Sequence, residues 1–431
     1  MVVLFKILQV ILALSLLIIV HEAGHFLFAK LFHIRVEKFY LFFDVGGKAL
    51  LKFKKGDTEF GIGWLPFGGY CKISGMIDES MDLESMKKEP QPWEFRTHPA
   101  WQRLLVMAGG VLFNFIFAIL AYALISGIWG SAYLPNKEAQ IYPNELARDM
   151  GFKAGDHIIS LDEYQPQDFS NLQADLVRRQ TQVVKIQRGQ DTLNLYMDLA
   201  RTNEILNSPL MFDLAMPFVV DSVASAQNAA SLKKNDKILQ VEGENVEFFQ
   251  DAASVLQKYS GQEVTALVER AGEQISLPLQ IDTAGRIGIY VQAPQVERRK
   301  YNFAQSMGEG FRRTGSTIKG YLQDLKLVSK PSTGAYKSVG SFISIGQIFP
   351  AKWNWYQFLS IIALLSIMLG VMNLLPIPGL DGGHILFTLY EIVSGKKPSD
   401  KFLMVTQIIG MVILFMLIFL AFGNDISRLI H

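Results

Sequence analysis

The stretch His21-Glu22-Ala23-Gly24-His25 lies inside a segment that is apolar enough to cross a membrane. Residues 7–20 before it carry no charge, and Phe26-Leu27-Phe28-Ala29 follows it. Imidazoles and carboxylates are costly in hydrocarbon, so such residues within a span usually face a cavity and take part in chemistry. This stretch therefore predicts a membrane-spanning helix that carries a functional site.

The spacing within the stretch is that of a metal site on a helix. His21 and His25 lie four residues apart, so both imidazoles project from one helix face and can bind one Zn²⁺. Glu22 is offset by one position, near the metal without being a ligand, where it can deprotonate a zinc-bound water. A signal peptide is a poor alternative, because Lys6 is the single basic residue before the apolar run and charged residues interrupt that run.

Composition places the chain among membrane proteins that have room for globular domains. Half of its 431 residues are hydrophobic, and its mean hydropathy is positive. The net charge of +1 argues neither for nor against nucleic acid, and we expect no nucleic-acid partner. Cys71 is the single cysteine, so no internal disulfide is expected.

Three further segments are long and apolar enough to span a bilayer, which gives four predicted spans. They are residues 104–130, 356–375 and 402–423. Lysines and arginines are frequent between the first two spans, and Lys396, Lys397 and Lys401 lie between the last two. The positive-inside bias therefore predicts that both loops are cytoplasmic. Both termini and the region of about 131–350 are then expected outside, with the first motif at the cytoplasmic end of its span.

Two similar stretches lie between the second and third predicted spans. Residues 149–159 read DMGFKAGDHII, and residues 229–239 read AASLKKNDKIL. Each predicts a small helix, a turn ending in Asp and a strand, and their spacing of about 80 residues matches one small domain. The pattern resembles PDZ domains, although Ser231-Leu232 and Asn235 stand where glycines are usual. PDZ domains bind extended peptides at a sheet edge, which predicts peptide contact or steric filtering.

Residues 301–328 predict an amphipathic helix. Phe303, Met307 and Phe311 begin a series of apolar residues at steps of three and four, with basic residues between them. Two placements are open: on the membrane surface at the mouth of the site, or packed against the neighbouring domain.

A catalytic zinc site with two histidines is one protein ligand short. The candidate ligands lie in residues 373–384, NLLPIPGLDGGH, where two prolines break the third predicted span. Such a break frees backbone groups that need a protein-lined or wet cavity. Asp381 is the acid at the break, and His384 is a competing candidate.

Two more runs complete a recognisable set. Residues 65–72, LPFGGYCK, are similar to the run PLGGYVK of the site-2 protease family. Residues 107–115, MAGGVLFNF, are similar to the run AGPxxNF of the same family, with Gly110 in place of the proline. With the two metal-site stretches and the PDZ-like modules, they make the chain resemble the site-2 protease family of intramembrane zinc metalloproteases (peptidase M50) over nearly its full length. Within that family the resemblance is to the bacterial regulator of sigma-E protease (RseP) branch. Residues 41–47 depart from the usual GFGP run, so no role is carried onto them.

The resemblance implies a fold. It is a polytopic α-helical membrane protein with four transmembrane helices, a membrane re-entrant β-hairpin and two tandem extracytoplasmic PDZ domains. The expected segments are 1–33 (first span), 34–100 (cytoplasmic-side loop and hairpin), 101–130 (second span), 131–215 and 216–295 (PDZ-like domains), 296–350 (amphipathic helix and linker), 351–383 (third span) and 384–431 (fourth span and C-terminus).

The resemblance also implies the metal site. His21, His25 and Asp381 are expected to bind Zn²⁺, with Asp381 favoured over His384, and a water fills the fourth position. Glu22 is expected to be the catalytic residue that takes a proton from this water and returns it to the leaving amine.

Substrate contacts follow from the same resemblance. Asn373 is the candidate for holding substrate backbone, with an interhelical hydrogen bond as the alternative role. Gly68 and Gly69 on the hairpin are expected to pair with an extended substrate strand. Asn114 is expected to be structural.

The implied activity is endoproteolysis within the transmembrane segments of single-span membrane proteins, after an upstream site-1 protease has cut the same substrate. In the RseP branch the expected substrates are anti-sigma factors and remnant signal peptides, as part of a stress response. The PDZ tandem is expected to exclude substrates that still carry bulky domains. The expected location is the bacterial inner membrane, in contact with the lipid bilayer, with the PDZ domains in the periplasm and the active site near the cytoplasmic side.

Two alternatives remain. One is a membrane zinc protease that cleaves soluble or prenylated peptides. The other is a non-proteolytic PDZ membrane scaffold with a structural zinc, although a structural zinc is normally closed by four protein ligands.

Overall fold

Two units make up the computed structural model, which describes residues 2–76, 89–292 and 297–430. The helical unit comprises Met1–Ser131, Lys300–Ser329 and Tyr336–His431. The strand-rich unit comprises Ala132–Arg299 and Lys330–Ala335. The predicted spans fall in the helical unit, and both PDZ-like stretches fall in the strand-rich unit.

The bounds of the elements in the described residues are as follows. The helices are α1 (Val2–Leu31), α2 (Ala100–Trp129), α3 (Glu145–Asp149), α4 (Leu172–Arg178), α5 (Thr202–Asn207), α6 (Phe249–Lys258), α7 (Phe303–Val328), α8 (Phe342–Ile348), α9 (Trp355–Leu374), α10 (Asp381–Ser394) and α11 (Asp400–Ile430). The strands are β1 (Val36–Phe43), β2 (Ala49–Lys55), β3 (Thr58–Gly63), β4 (Leu65–Ile73), β5 (Ser131–Tyr133), β6 (Ile141–Pro143), β7 (His157–Leu161), β8 (Val183–Arg188), β9 (Asp191–Tyr196), β10 (Phe212–Leu214), β11 (Val220–Val223), β12 (Lys237–Val241), β13 (Glu244–Asn245), β14 (Glu263–Arg270), β15 (Glu273–Gln280), β16 (Ile289–Val291) and β17 (Glu297–Arg299).

Among the described residues, four helices are long and apolar enough to cross a membrane, as the sequence predicts. They are α1, α2, α9 and the Lys401–Arg428 part of α11. The chain is therefore a multi-pass membrane protein. Apolar side chains such as Leu17 of α1 and Ile362 of α9 form buried cores between these helices.

Helices α1 and α2 approach each other backbone to backbone at a pair of glycines. A Cβ atom at Gly24 would collide with the carbonyl group of Gly109. Small residues at such crossings let spanning helices come close together. The glycine inside the first motif thus allows α2 to lie directly against the helix face that carries the histidines.

A four-stranded sheet follows α1, with strand order β2-β3-β1-β4. Strand β1 pairs with β3 in parallel and with β4 antiparallel, where Leu41 lies opposite Gly69. Gly68 and Gly69 lie in β4, which is an edge strand of this sheet. The element is thus larger than the hairpin that the sequence predicts, and its entry into the membrane stays a prediction.

The proline-containing break separates two helices. Helix α9 ends at Leu374, and α10 begins at Asp381. Gly379 between them has a φ of +102°, a conformation that favours glycine. The break therefore places Asp381 in the first turn of a new helix, α10, which the sequence analysis did not separate from the last span.

The predicted amphipathic helix is α7, and it packs along the second span. A Cβ atom at Gly310 would collide with the carbonyl oxygen of Ile119 in α2. Phe303 and Phe311 remain exposed. Packing against the second span is neither of the two placements that the sequence left open, and both of those stay predictions.

The two similar stretches of the strand-rich unit share one turn structure. Asp156 receives hydrogen bonds of 2.7 and 2.8 Å from Arg188 and one of 2.8 Å from the backbone N–H three residues earlier. Asp236 receives bonds of 2.8 and 2.7 Å from Arg270 and one of 2.7 Å from the corresponding N–H. Both aspartates are fully buried. Each stretch then continues into a sheet, β7-β8-β9 or β13-β12-β14-β15.

The second of these modules has its own apolar core. Phe218, Ile238, Val268 and Leu279 are buried together with other apolar side chains from its strands and from α6. A core of this kind is typical of a small globular module.

Candidate metal centre

Helix α1 and the first turn of α10 bring three potential metal ligands together. His21 and His25 lie on one face of α1 with their Nε2 atoms 3.2 Å apart. Oδ2 of Asp381 lies 3.1 Å from Nε2 of His21 and 3.3 Å from Nε2 of His25. In the part of the chain that the structure describes, these three side chains form the cluster that could hold a metal ion.

These separations test whether zinc fits. Zinc binds histidine nitrogen and carboxylate oxygen at about 2.0–2.2 Å in tetrahedral geometry, so neighbouring ligand atoms lie roughly 3.3–3.6 Å apart. The observed separations of 3.1, 3.2 and 3.3 Å are close to that spacing. Oδ2 of Asp381 is also buried without a well-formed hydrogen bond. A cation at this point would compensate its charge, and the donor set therefore fits zinc.

Helix α2 supports the imidazoles from the other side. Nδ1 of His25 lies 2.8 Å from the carbonyl oxygen of Val106, and when Nδ1 donates to it, Nε2 is free to bind a metal. A Cβ atom at Gly110 would lie 2.5 Å from Nε2 of His25 and 2.6 Å from Cε1 of His21. A side chain at position 110 would therefore displace the rings. Sequence reasoning noticed Gly110 without giving it a role, and a backbone carbonyl leaves no signal in a sequence.

One cavity of about 690 Å³ collects all the residues predicted to act in the site. They are His21, Glu22, His25, Gly68, Gly69, Asn373 and Asp381. The competing ligand candidate, His384, lines the same cavity but is outside the three-residue cluster found among the described residues. The fold therefore joins motifs that lie far apart in the sequence.

Glu22 and Asn373 flank the three candidate ligands. The Glu22 carboxylate accepts a hydrogen bond from the backbone of Cys71, which connects it to the edge strand β4. Nδ2 of Asn373 lies 3.3 Å from Nε2 of His21. The carboxylate and the amide are thus both placed to contact a molecule that enters the metal site.

A polar network forms the wall of the cavity on the side of the sheet. Nζ of Lys38 donates to one carboxylate oxygen of Asp44 at 2.7 Å, and the Tyr70 hydroxyl donates to the other at 2.7 Å. Burial opposes ionisation of Asp44, but these two hydrogen bonds outweigh it and hold the pKa of Asp44 below its ordinary value. Burial and the nearby carboxylate raise the pKa of Tyr70. Residues 41–47, which received no role from the sequence, thus contribute a charged group to this wall.

Comparison with known proteins finds one matching family model and several similar proteins. The model of peptidase family M50 matches residues 9–417. A Vibrio cholerae protein described as a zinc metalloprotease is 30% identical, with 99% of both chains covered. The regulator of sigma-E protease RseP of Salmonella typhimurium is 30% identical, covering 97% of this chain and 98% of that protein. The regulator of sigma E protease of Haemophilus influenzae is 29% identical with the same coverage.

Proposed function

Because the chain belongs to peptidase family M50 and zinc is its cofactor, we propose that it is an intramembrane endopeptidase that cuts single-span membrane proteins within their transmembrane segments. The observation that carries the proposal is that His21 and His25, on a helix apolar enough to span the membrane, lie beside Glu22 and converge with Asp381. A site on a membrane-spanning helix can reach a peptide bond that lies within the bilayer.

In this proposal His21, His25 and Asp381 hold the metal. Bound zinc supplies a Lewis acid that polarises the scissile carbonyl and makes water nucleophilic near neutral pH. Glu22 accepts a proton from the attacking water and returns it to the leaving amine. Its position next to a ligand, but outside the ligand cluster, leaves its carboxylate available for this proton transfer.

The substrate must unwind before it is cut, because the carbonyl groups of a helix are hydrogen-bonded and shielded. We assign Gly68 and Gly69 of the edge strand β4 to the binding of the unwound segment, since an extended peptide can add to a sheet edge. Glu22 is connected to the same strand through Cys71, which supports attack next to this edge. Asn373 then donates from its amide to the substrate backbone near the metal.

We extend the proposal to the strand-rich unit. Its modules, residues 131–215 and 216–295, act as a periplasmic PDZ tandem that excludes substrates with bulky outer domains until a site-1 protease has removed them. The repeated turn around Asp156 and Asp236 supports two copies of one domain. The names of the relatives, regulators of sigma E, support anti-sigma factors as substrates, with remnant signal peptides as a second class. The bacterial inner membrane is the proposed location, with the sheet made of β1–β4 re-entering it from the cytoplasmic side.

Thiol labelling in intact cells tests the proposed orientation. In a Cys71→Ser background, Lys397→Cys should be shielded from a membrane-impermeant maleimide. Tyr196→Cys, at an exposed position of the strand-rich unit, should be labelled and serves as the control. Labelling at position 397 would overturn the orientation.

The activity test compares the purified parent with Glu22→Gln on a single-span reporter in detergent, with the zinc content of both measured. Glutamine keeps the shape of the side chain but cannot take the proton. We expect equal zinc in both and cleavage at least about 100-fold slower in the variant. A zinc chelator should stop cleavage by the parent.

Other outcomes would separate the alternatives. Equal cleavage by both proteins would remove Glu22 from the mechanism. A zinc-loaded parent that cuts soluble peptides but no single-span protein would favour the soluble-peptide protease. Zinc without any cleavage, and an unchanged cellular phenotype in Glu22→Gln, would favour the PDZ scaffold with structural zinc.

A further inference from the structure

A buried amide on α2 lies directly behind His21. Asn114 is fully buried, and its side-chain amide lies 3.0 Å from Nδ1 of His21. Its backbone carbonyl accepts a hydrogen bond of 2.8 Å from the hydroxyl of Ser366 in α9. Asn114 is thus in contact with the ligand-bearing helix through its side chain and with α9 through its main chain.

The two histidines are supported by the same helix. The Nδ1 atom of His25 faces the carbonyl oxygen of Val106, and the Nδ1 atom of His21 faces Asn114, about two turns further along α2. A metal-ligating histidine usually donates its other ring N–H to an acceptor, which fixes its tautomer and its orientation. For His25 the acceptor is main chain and is independent of residue type, whereas the group beside Nδ1 of His21 is a side-chain amide.

The orientation of the amide decides whether it can serve as that acceptor. Nδ2 of Asn114 faces His21, while Oδ1 is buried without a hydrogen-bond partner. A histidine that binds a metal through Nε2 carries its proton on Nδ1, and two donors facing each other repel. A half-turn of the amide exchanges two groups of nearly equal size and replaces that repulsion with an N–H···O hydrogen bond.

We propose that Asn114 is the positioning residue for His21 in the zinc-bound protein. Its Oδ1 accepts the Nδ1 proton of His21, which keeps Nε2 unprotonated and directed at the metal. The inference rests on the proposed function in one respect, namely that His21 is a zinc ligand.

The test is zinc affinity, measured by competition with a chromogenic chelator on the full chain in detergent, so that the readout does not depend on proteolysis. Asn114→Leu removes the acceptor at similar volume and should weaken zinc binding about 10- to 100-fold. Asn114→Asp keeps an acceptor and loses the donor, and it should bind zinc at least as tightly as the parent. Ser366→Ala, which removes only the bond to the Asn114 main chain, should leave zinc affinity unchanged.

Two results would overturn the inference. One is an Asn114→Leu variant with the zinc affinity of the parent. The other is an Asn114→Asp variant that loses zinc as Asn114→Leu does, because the amide N–H would then be the required group. If Asn114→Leu does not fold, Asn114→Asp decides alone. The variant His21→Ala distinguishes failure of this inference from failure of the proposed metal site. Unchanged zinc affinity in that variant would contradict the metal site itself.

Discussion

Aspartates with buried carboxylate oxygens occur in both units, and their surroundings differ. Asp156 and Asp236 of the strand-rich unit each receive two hydrogen bonds from an arginine and one from a backbone N–H. Oδ2 of Asp381 faces only the ring nitrogens of His21 and His25 among its described ion-pair partners. Protein donors satisfy the carboxylates of Asp156 and Asp236, whereas the carboxylate of Asp381 converges with two other candidate metal ligands. The surrounding donors, rather than burial alone, thus distinguish a structural carboxylate from a metal ligand.

Substitution of Asp381, whose Oδ2 faces the two histidines, should have the strongest consequence. Asp381→Asn keeps the shape and removes the charge, so zinc retention and reporter cleavage should both fall below detection. The thermal stability of the zinc-free protein should not fall, because among the described residues Asp381 has no ion pair with a lysine or arginine to lose. Metal analysis and thermal unfolding in detergent check this. A variant with the zinc content of the parent would remove Asp381 from the ligand set.

Substitution of the structural carboxylate Asp236 should lower stability and leave zinc binding intact. Asp236→Ala leaves Arg270 without its partner and should destabilise its module by about 3 kcal/mol, with zinc content unchanged. Hydrogen-exchange mass spectrometry of the full chain, read on peptides that cover β12 and β14, measures this. Asp221→Ala is the matched control, because it breaks the exposed ion pair with Lys234 and should cost less than about 1 kcal/mol. Equal effects of the two substitutions would contradict the distinction.

Low pH should reproduce part of the stability loss that Asp236→Ala causes. Burial alone would raise the pKa of Asp236, but hydrogen bonds from Arg270 and from the backbone of Lys233 outweigh it and hold that pKa below its ordinary value. A carboxyl group with a lowered folded-state pKa stabilises the fold above its unfolded pKa of about 3.9, and this stabilisation is lost as pH falls through the folded value. Exchange protection of β12 and β14 should therefore fall below about pH 4. In Asp236→Asn, the exchange protection of β12 and β14 should depend less on pH. A pH profile equal to that of the parent would show that Asp236 does not cause the dependence.

The sequence predicted the helical unit well where the information is local. Four spans follow from runs of apolar residues, and the helix with His21 and His25 follows from a spacing of four. Two prolines predicted a helix break at Asp381, and the structure shows this break between α9 and α10. Such features need no knowledge of which elements become neighbours.

Features that depend on contact between elements were missed or incomplete. Gly110 lies against both histidines across a helix crossing and Asn114 faces His21 there, and neither carries a charge or a spacing that points to α1. Strand β2 alternates apolar and polar residues only over residues 51–54, which is too short a pattern to distinguish the four-stranded sheet from a hairpin. The Asp–Arg pairs of the strand-rich unit join residues more than 30 positions apart, beyond any local pattern.

The position of the cut bond shows whether the protein cleaves within a membrane span. A single-span reporter is digested with the detergent-purified protein, and the new termini are identified by mass spectrometry, with Glu22→Gln and Asp381→Asn in parallel. We expect one main cut within the apolar span of the reporter, made by the parent and absent from both variants. A cut in the flanking polar segments, or the same cut in either variant, would contradict the proposed activity.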